Sequence, residues 1–306
     1  ASYAALTWGR EALQPDAELQ DAFPESVART AVAIDALHKA SLAHDDIEDG
    51  DGYRYGEPTL HEEHGVATAL NVGDYLVGLG YELISSVKDE VGADAVADIL
   101  SHLSQSHLKL TRGQGAELRW QETQPFSITS SDVQSIYALK TAPAYEAAMY
   151  SGLRLGLEEM DSDRTWGADE QAETPAAETP EEVRRFCRYL GAAYQLLNDL
   201  EDWNGNGENK VLARRDALWG RPTMLHAFAL QAADEETASQ LKWLVDSSLP
   251  DEEKLARIGT IYNELGVIEK ACELLQKYRE MALQQADEVQ WNELGELMRF
   301  IVETVL

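Results

Sequence analysis

The sequence predicts an all-α protein, a single bundle of about ten or more helices, on three observations. Apolar residues recur at three- and four-residue spacing through long segments. Proline is sparse, at 9 in 306 residues. Sustained alternation of β-branched residues, the mark of strands, does not occur. In chain order the periodicity predicts helices over 26–46, 66–88, 92–119, 131–156, 180–202, 221–232, 235–247, 251–263, 265–288 and 290–305. The fifth opens on Thr179-Pro180-Glu181-Glu182 and the eighth on Pro250-Asp251-Glu252. Proline and acids suit a first turn, where orphan N–H groups and the positive dipole end gather. Three stretches interrupt the pattern. Residues 50–58 form a short Gly-rich loop. Residues 161–179 are acidic and rich in Ala, Pro and Thr, a composition that predicts a mobile surface insertion. Residues 204–221 are polar, with Lys210, Arg214, Arg215 and Arg221 in an otherwise acidic chain. No repeat of fixed period is present, so residues 1–306 read as one domain.

Charge and cysteine content remove several function classes. Lys and Arg number 25 against 55 Asp and Glu, a net charge of −30. A field of that sign repels phosphate backbones and anionic lipid, so neither nucleic acid nor a membrane surface is an expected partner. Hydrophobic residues make up 44%, too many for an acidic disordered chain. Cys187 and Cys272 alone cannot build a disulfide scaffold or a cysteine-based zinc module. No apolar run approaches the ~20 residues of an integral membrane helix, and no signal peptide is visible. A cytoplasmic protein is expected.

The chemistry concentrates in two acidic clusters. In His44-Asp45-Asp46-Ile47-Glu48-Asp49, Asp45 and Asp49 stand one helical turn apart and point the same way. Gly50 and Gly52 follow, so these carboxylates crowd a helix C-terminus, where the dipole is already negative. Such a cluster calls for a compensating cation, and hard carboxylate oxygens suit Mg²⁺ or Mn²⁺. The second cluster, Asn198-Asp199-Leu200-Glu201-Asp202, ends a helix before Asn204 and Gly205. Two facing helix ends of this kind would hold hard cations and leave positions open for substrate phosphates.

The ordered set of motifs resembles the trans-prenyltransferases, the polyprenyl diphosphate synthases. His44–Asp49 followed by Arg54-Tyr55-Gly56-Glu57-Pro58-Thr59-Leu60-His61 is similar to the family's first aspartate-rich region, and Tyr194 to Asp202 to its second. Gly113-Gln114 and Lys140-Thr141 match pairs usual between them. The likeness runs from about residue 26 to 225, and the set is far more specific than a lone DDxxD. It implies the isoprenoid synthase fold, helices around a deep central cavity, a homodimer, and a Mg²⁺-dependent condensation of an allylic prenyl diphosphate with isopentenyl diphosphate.

The resemblance also implies roles residue by residue. Asp45, Asp46, Asp49, Asn198, Asp199 and Asp202 form the metal set, with Asp45, Asp46, Asp49, Lys140 and Asp199 catalytic. Arg54, Lys140 and Lys210 contact the allylic diphosphate, with Thr141, Gln114 and Gln195 nearby. Arg221 takes a position that is commonly Lys, and His38 helps bind isopentenyl diphosphate. The sequence departs from the pattern at three points. Asn198 replaces Asp, Tyr55 replaces an Arg that grips isopentenyl diphosphate, and a Gly-Lys-Arg motif would fall ahead of Ala1. On the helix ending at Asp45, Ala40 and Ser41 are small where aromatic residues block the growing chain in the family, so the resemblance implies room for a product of geranylgeranyl length or longer. Two alternatives use the same fold. A class I terpene cyclase suits Tyr55 and Asn198-Asp199, but Asp202 stands where its motif has Ser or Thr, and Asn206 where it has Glu. A non-catalytic subunit of a heteromeric synthase is disfavoured by the intact Asp45, Asp46, Asp49, Lys140 and Asp202.

Overall fold

A computed structural model describes residues 23–123, 126–163, 179–205 and 214–306. The all-α expectation holds. Fourteen helices lie within the described residues: α1 (Glu25–Asp49), α2 (Leu60–His64), α3 (Val66–Ser86), α4 (Lys88–Val91), α5 (Ala93–Thr123), α6 (Ser130–Lys140), α7 (Ala142–Asp163), α8 (Glu181–Asn204), α9 (Arg215–Trp219), α10 (Met224–Ala232), α11 (Glu235–Asp246), α12 (Asp251–Glu264), α13 (Val267–Glu288) and α14 (Asn292–Val305). Their only strands, β1 (Tyr53–Arg54) and β2 (Glu57–Pro58), pair antiparallel. Tyr55 and Gly56 both have positive φ, at 54° and 79°, so a two-residue turn joins them. The predicted 50–58 loop is therefore a small hairpin.

The first helix runs on to Asp49, the expected 66–88 helix stops at Ser86 and the expected 92–119 helix runs on to Thr123, and two further differences have a clear local cause. The expected 131–156 helix is two helices broken at Thr141, whose φ is −129°. Pro143 is the reason: it has no N–H for the Leu139 carbonyl, and its ring would press on that carbonyl in a continuous helix. The helix expected from 221 starts at Met224, because Thr223 is extended and its hydroxyl accepts the His226 N–H as an N-cap. Of the predicted 161–179 insertion, Asp161 to Asp163 continue α7 and Thr179 is buried beside the start of α8. Residues 164–178 lie outside the described residues, as do Lys210 and Asn206.

Three apolar clusters hold the bundle. Ala33, Ile84, Ile99, Leu103 and Tyr150 join α1, α3, α5 and α7. Met149, Phe186, Leu190, Ala282, Leu294 and Met298 join α7, α8, α13 and α14. Ile136, Leu196, Trp203, Met224, Ile258 and Tyr262 join α6, α8, α10 and α12. Helix α8 runs through two of them, since Val183, Phe186, Cys187, Leu190, Ala193, Leu196, Leu200 and Trp203 recur at three- and four-residue steps and are all buried. Helices α1 and α3 approach closely at Gly80, where a Cβ would stand 2.6 Å from Leu37 Cγ. Among the described residues no helix is long and apolar enough to cross a membrane.

Candidate active site

Helix α1 ends on Gly50, which adopts φ 63° and donates its N–H back to Asp46 and Ile47. A left-handed residue at this position stops the helix without a Cβ penalty. Asp45, Asp46 and Asp49 thus stand in and just before a last turn that has no basic residue of its own. The counter-charge arrives from three other segments. From the hairpin, Arg54 places Nη2 2.6 Å from Asp46 and 3.7 Å from Asp45. From the segment after α9, Arg221 donates to the Asp49 carbonyl oxygen at 3.0 Å and lies 3.6 Å from its carboxylate. From α9, Arg215 sits 2.6 Å from the Asp51 carboxylate and donates to the Gly50 carbonyl at 3.3 Å. Three arginines of the chain thus supply part of the counter-charge that the acidic helix end calls for.

Compensation is incomplete at Asp45 and Asp49. Burial pushes the Asp45 carboxyl up to about 6; Lys140 opposes this and Asp49 reinforces it. A third of the side chain still meets solvent, so this is the desolvation of a concave mouth rather than of a closed interior. Asp49 Oδ1 is buried without a hydrogen-bond partner. Lys140, the last residue of α6, pairs with Glu117 of α5 at 2.7 Å. Burial works against its charge, but Glu117, then Asp45 and Asp49, outweigh burial and hold its pKa above the ordinary value. Gly113 lets this junction form, because a Cβ there would meet the Lys140 nitrogen at 2.8 Å.

The second cluster is arranged differently. The Tyr137 hydroxyl donates to Asp199, and the Met224 N–H donates to the same carboxylate at 2.9 Å. That carboxylate joins α6, α8 and α10 and faces inward, with 7% exposure. Asp202 is also buried, and its carbonyl accepts the Arg214 N–H at 3.0 Å. Asp199, Asp202, Asp216 and Thr223 share a small cavity with Tyr262. Arg221 lies 3.6 Å from Asp49 and 3.4 Å from Asp216 of α9, so it links the end of α1 to a carboxylate that lines the same cavity as Asp199 and Asp202. Asn198 is half-buried on α8.

The remaining predicted residues fall as follows. Gln195 donates to the Thr141 hydroxyl at 2.6 Å across the α6–α7 break. Both amide atoms of Gln114 are buried without partners. A stranded amide of this kind costs about 1–3 kcal/mol per group, and a ligand or water normally satisfies it. His38 lies on the exposed face of α1, and partial burial, Lys39 and, more weakly, Arg54 lower its pKa. Sequence reasoning missed Glu117, Tyr137, Arg215 and Asp216. Glu117 had a signal: it sits one turn after Gly113 on the same face of α5. Tyr137 had none, because its partner Asp199 is 62 positions away; Arg215 showed only as one of the basic residues in 204–221, and Asp216 only as an acid between Arg215 and Arg221.

The donors at this site bear on whether a divalent cation would bind. Among the described residues no three Asp, Glu, His or Cys side chains converge closely enough to ligate one ion by themselves. Yet every available donor is a hard oxygen, Asp49 Oδ1 is orphaned, and Asp45 lacks full counter-charge. These are the properties of a carboxylate pair that takes up a hard cation. The residues fit the group.

Residues 9–265 match the polyprenyl synthetase family. The chain belongs to that family. A short chain isoprenyl diphosphate synthase of Methanothermobacter thermautotrophicus is 26% identical over 313 aligned positions, covering 100% of this chain and 89% of that one. An octaprenyl diphosphate synthase of Escherichia coli is 27% identical over 221 positions, covering 71% of this chain and 59% of that one. In fold, the chain matches a polyprenyl synthase from Caulobacter crescentus complexed with calcium and isoprenyl diphosphate, with TM-score 0.72, 21% identity, and coverage of 90% and 77%. As a polyprenyl synthetase the protein is a prenyltransferase, and the resemblance read from its motifs is borne out. The relatives' products run from short chains to octaprenyl, so family membership leaves product length open.

Proposed function

We propose that this polyprenyl synthetase uses Mg²⁺, with Mn²⁺ as a substitute, to condense an allylic prenyl diphosphate with isopentenyl diphosphate. The product is a longer linear trans-prenyl diphosphate, of geranylgeranyl length or longer. One observation carries the reading: Lys140, Arg54 and Arg221 converge on Asp45, Asp46 and Asp49 at a single helix end. That mixture suits a metal-bridged diphosphate, because neither the acids nor the bases alone would hold one in a chain of net charge −30.

Asp45 and Asp49 would hold the divalent ions from one side, and Asn198 and Asp202 from the other, with Asp46 supporting through Arg54. Bound there, the ions neutralise the diphosphate as a leaving group. Lys140 and Arg54 stabilise the negative charge that grows on diphosphate oxygen while the allylic C–O bond breaks. Arg54 suits paired contact with phosphate oxygens, and Lys140 acts as a point charge. Thr141 and Gln195 orient the diphosphate, and Gln114 offers it an amide. The double bond of isopentenyl diphosphate then attacks the allylic cation. A carbon–carbon bond forms, and the released diphosphate takes the proton lost from the neighbouring carbon. Lys210 and His38 complete the substrate contacts in this reading. Ala40 is buried in packing, so in this reading Ser41 is the small side chain that leaves room for the product. The exposed apolar side chains of Leu70, Tyr75 and Leu108 support a homodimer.

The test is incorporation of labelled isopentenyl diphosphate into phosphatase-sensitive, longer chains, with length read by mass spectrometry. Asp45→Ala is expected to lower turnover by about 100-fold or more while the protein still folds. Equal rates in the variant would remove Asp45 from the chemistry. Hydrocarbon formed from the allylic diphosphate alone would assign a cyclase instead.

A further inference from the structure

Residues 214–221 hold three arginines that grip two different helix ends. Arg214 faces α8: its Nε donates to the Trp203 carbonyl at 2.8 Å, and its guanidinium lies 4.8 Å from the Trp203 ring centroid. Arg215 faces α1, at 2.6 Å from Asp51 and 3.3 Å from the Gly50 carbonyl. Arg221 reaches the Asp49 carbonyl at 3.0 Å. These three carbonyls lie at helix ends, where backbone acceptors have no partner within the helix. Trp219 stands against both α1-facing arginines, with its ring centroid 4.1 Å from Arg215 and 5.2 Å from Arg221. The ring is 52% exposed, so burial alone does not explain a tryptophan there. Stacked on the guanidinium groups, it restricts two side chains that otherwise carry much rotamer freedom.

We propose that Arg215, braced on Trp219, is a positioning residue. Through α9 it fixes the end of the first acidic helix against the end of the second, and so sets the affinity of the pair for divalent cation and diphosphate. The inference rests on the metal-dependent reading above. It makes a prediction of opposite sign to the simple alternative. If Arg215 were only a counter-charge, removing it would make the acidic end more negative and tighten cation binding. If it positions, removing it loosens the geometry and weakens binding.

Equilibrium dialysis of radiolabelled inorganic diphosphate against the full chain, over a range of Mn²⁺, separates the two. Arg215→Gln is expected to raise the Mn²⁺ midpoint about 10-fold, the scale typical of residues that orient metal ligands from behind. Turnover at saturating Mn²⁺ should stay near that of the wild type. Arg215→Lys, which keeps the charge without the paired contact, should fall between the two proteins. Trp219→Leu, which keeps both arginines, should also raise the midpoint, and it decides the question should Arg215→Gln fail to fold. A midpoint that is unchanged or lower in the variants overturns the inference while leaving the metal reading intact. A wild-type chain that retains no diphosphate at any Mn²⁺ concentration overturns both.

Discussion

Lys140 forms the site's one largely buried lysine pair among the described residues, joined to Glu117 at 2.7 Å. Its partner Glu117 is 12% exposed and Lys140 itself 15%, so water screens the pair little. Removing one member of a buried pair leaves the other uncompensated, at about 3–5 kcal/mol. Lys140→Met is therefore expected to lower unfolding free energy by about 3 kcal/mol in denaturant titration and to abolish measurable turnover. Retained stability would mean that Glu117 has other support. The acids around this lysine were legible in the sequence because Asp45, Asp46 and Asp49 fall within one turn and a stop signal follows directly. Their partners were not legible. Glu117 to Lys140, Asp51 to Arg215 and Asp49 to Arg221 span 23, 164 and 172 positions, and only the folded chain brings them together.

At the level of helices, periodicity located every long element, while the shorter α2, α4 and α9 carry too few turns to show one. The break at Thr141 is instructive, because Pro143 announced it and the apolar spacing on either side concealed it. That break gives Lys140 a helix end and turns Thr141 toward Gln195. Gly113 and Gly115 provide a matched test on α5. A Cβ at Gly113 would press on Lys140 and Leu139 backbone at 2.8 and 2.9 Å, whereas at Gly115 nothing lies within 4 Å. Gly115→Ala is expected to stabilise the protein by up to about 1 kcal/mol through helix propensity. Gly113→Ala makes the same gain but incurs about 1–3 kcal/mol of overpacking against backbone that cannot rotate away. Thermal unfolding of the two variants should move in opposite directions, and activity should fall only in the Gly113 variant.

Over the whole molecule, stability should depend on acid in a way the net charge does not reveal. His102 lies between α5 and α7, stacked on Tyr150 with ring centroids 4.2 Å apart. Burial, with smaller contributions from Lys109 and Arg184, lowers its pKa from 6.5 to about 4. The folded state therefore prefers neutral His102, and the unfolded state binds its proton first. That contribution to stability is complete above pH 6.5 and is lost as pH falls toward about 4. His102→Phe keeps the stacking without the proton, so its melting temperature should decline less than the wild type's between pH 6.5 and 4. Parallel curves would exclude His102 as the responsible group.

The inward turn of Asp199 has a consequence for turnover. A carboxylate that bolts three helices together is expected to stay put through each catalytic cycle and to make the downstream wall of the pocket its anvil. In the proposed reaction, any travel on substrate entry is expected at the upstream wall, where Arg54 pairs with Asp46 and Arg221 with Asp49, contacts that an arriving ion would displace.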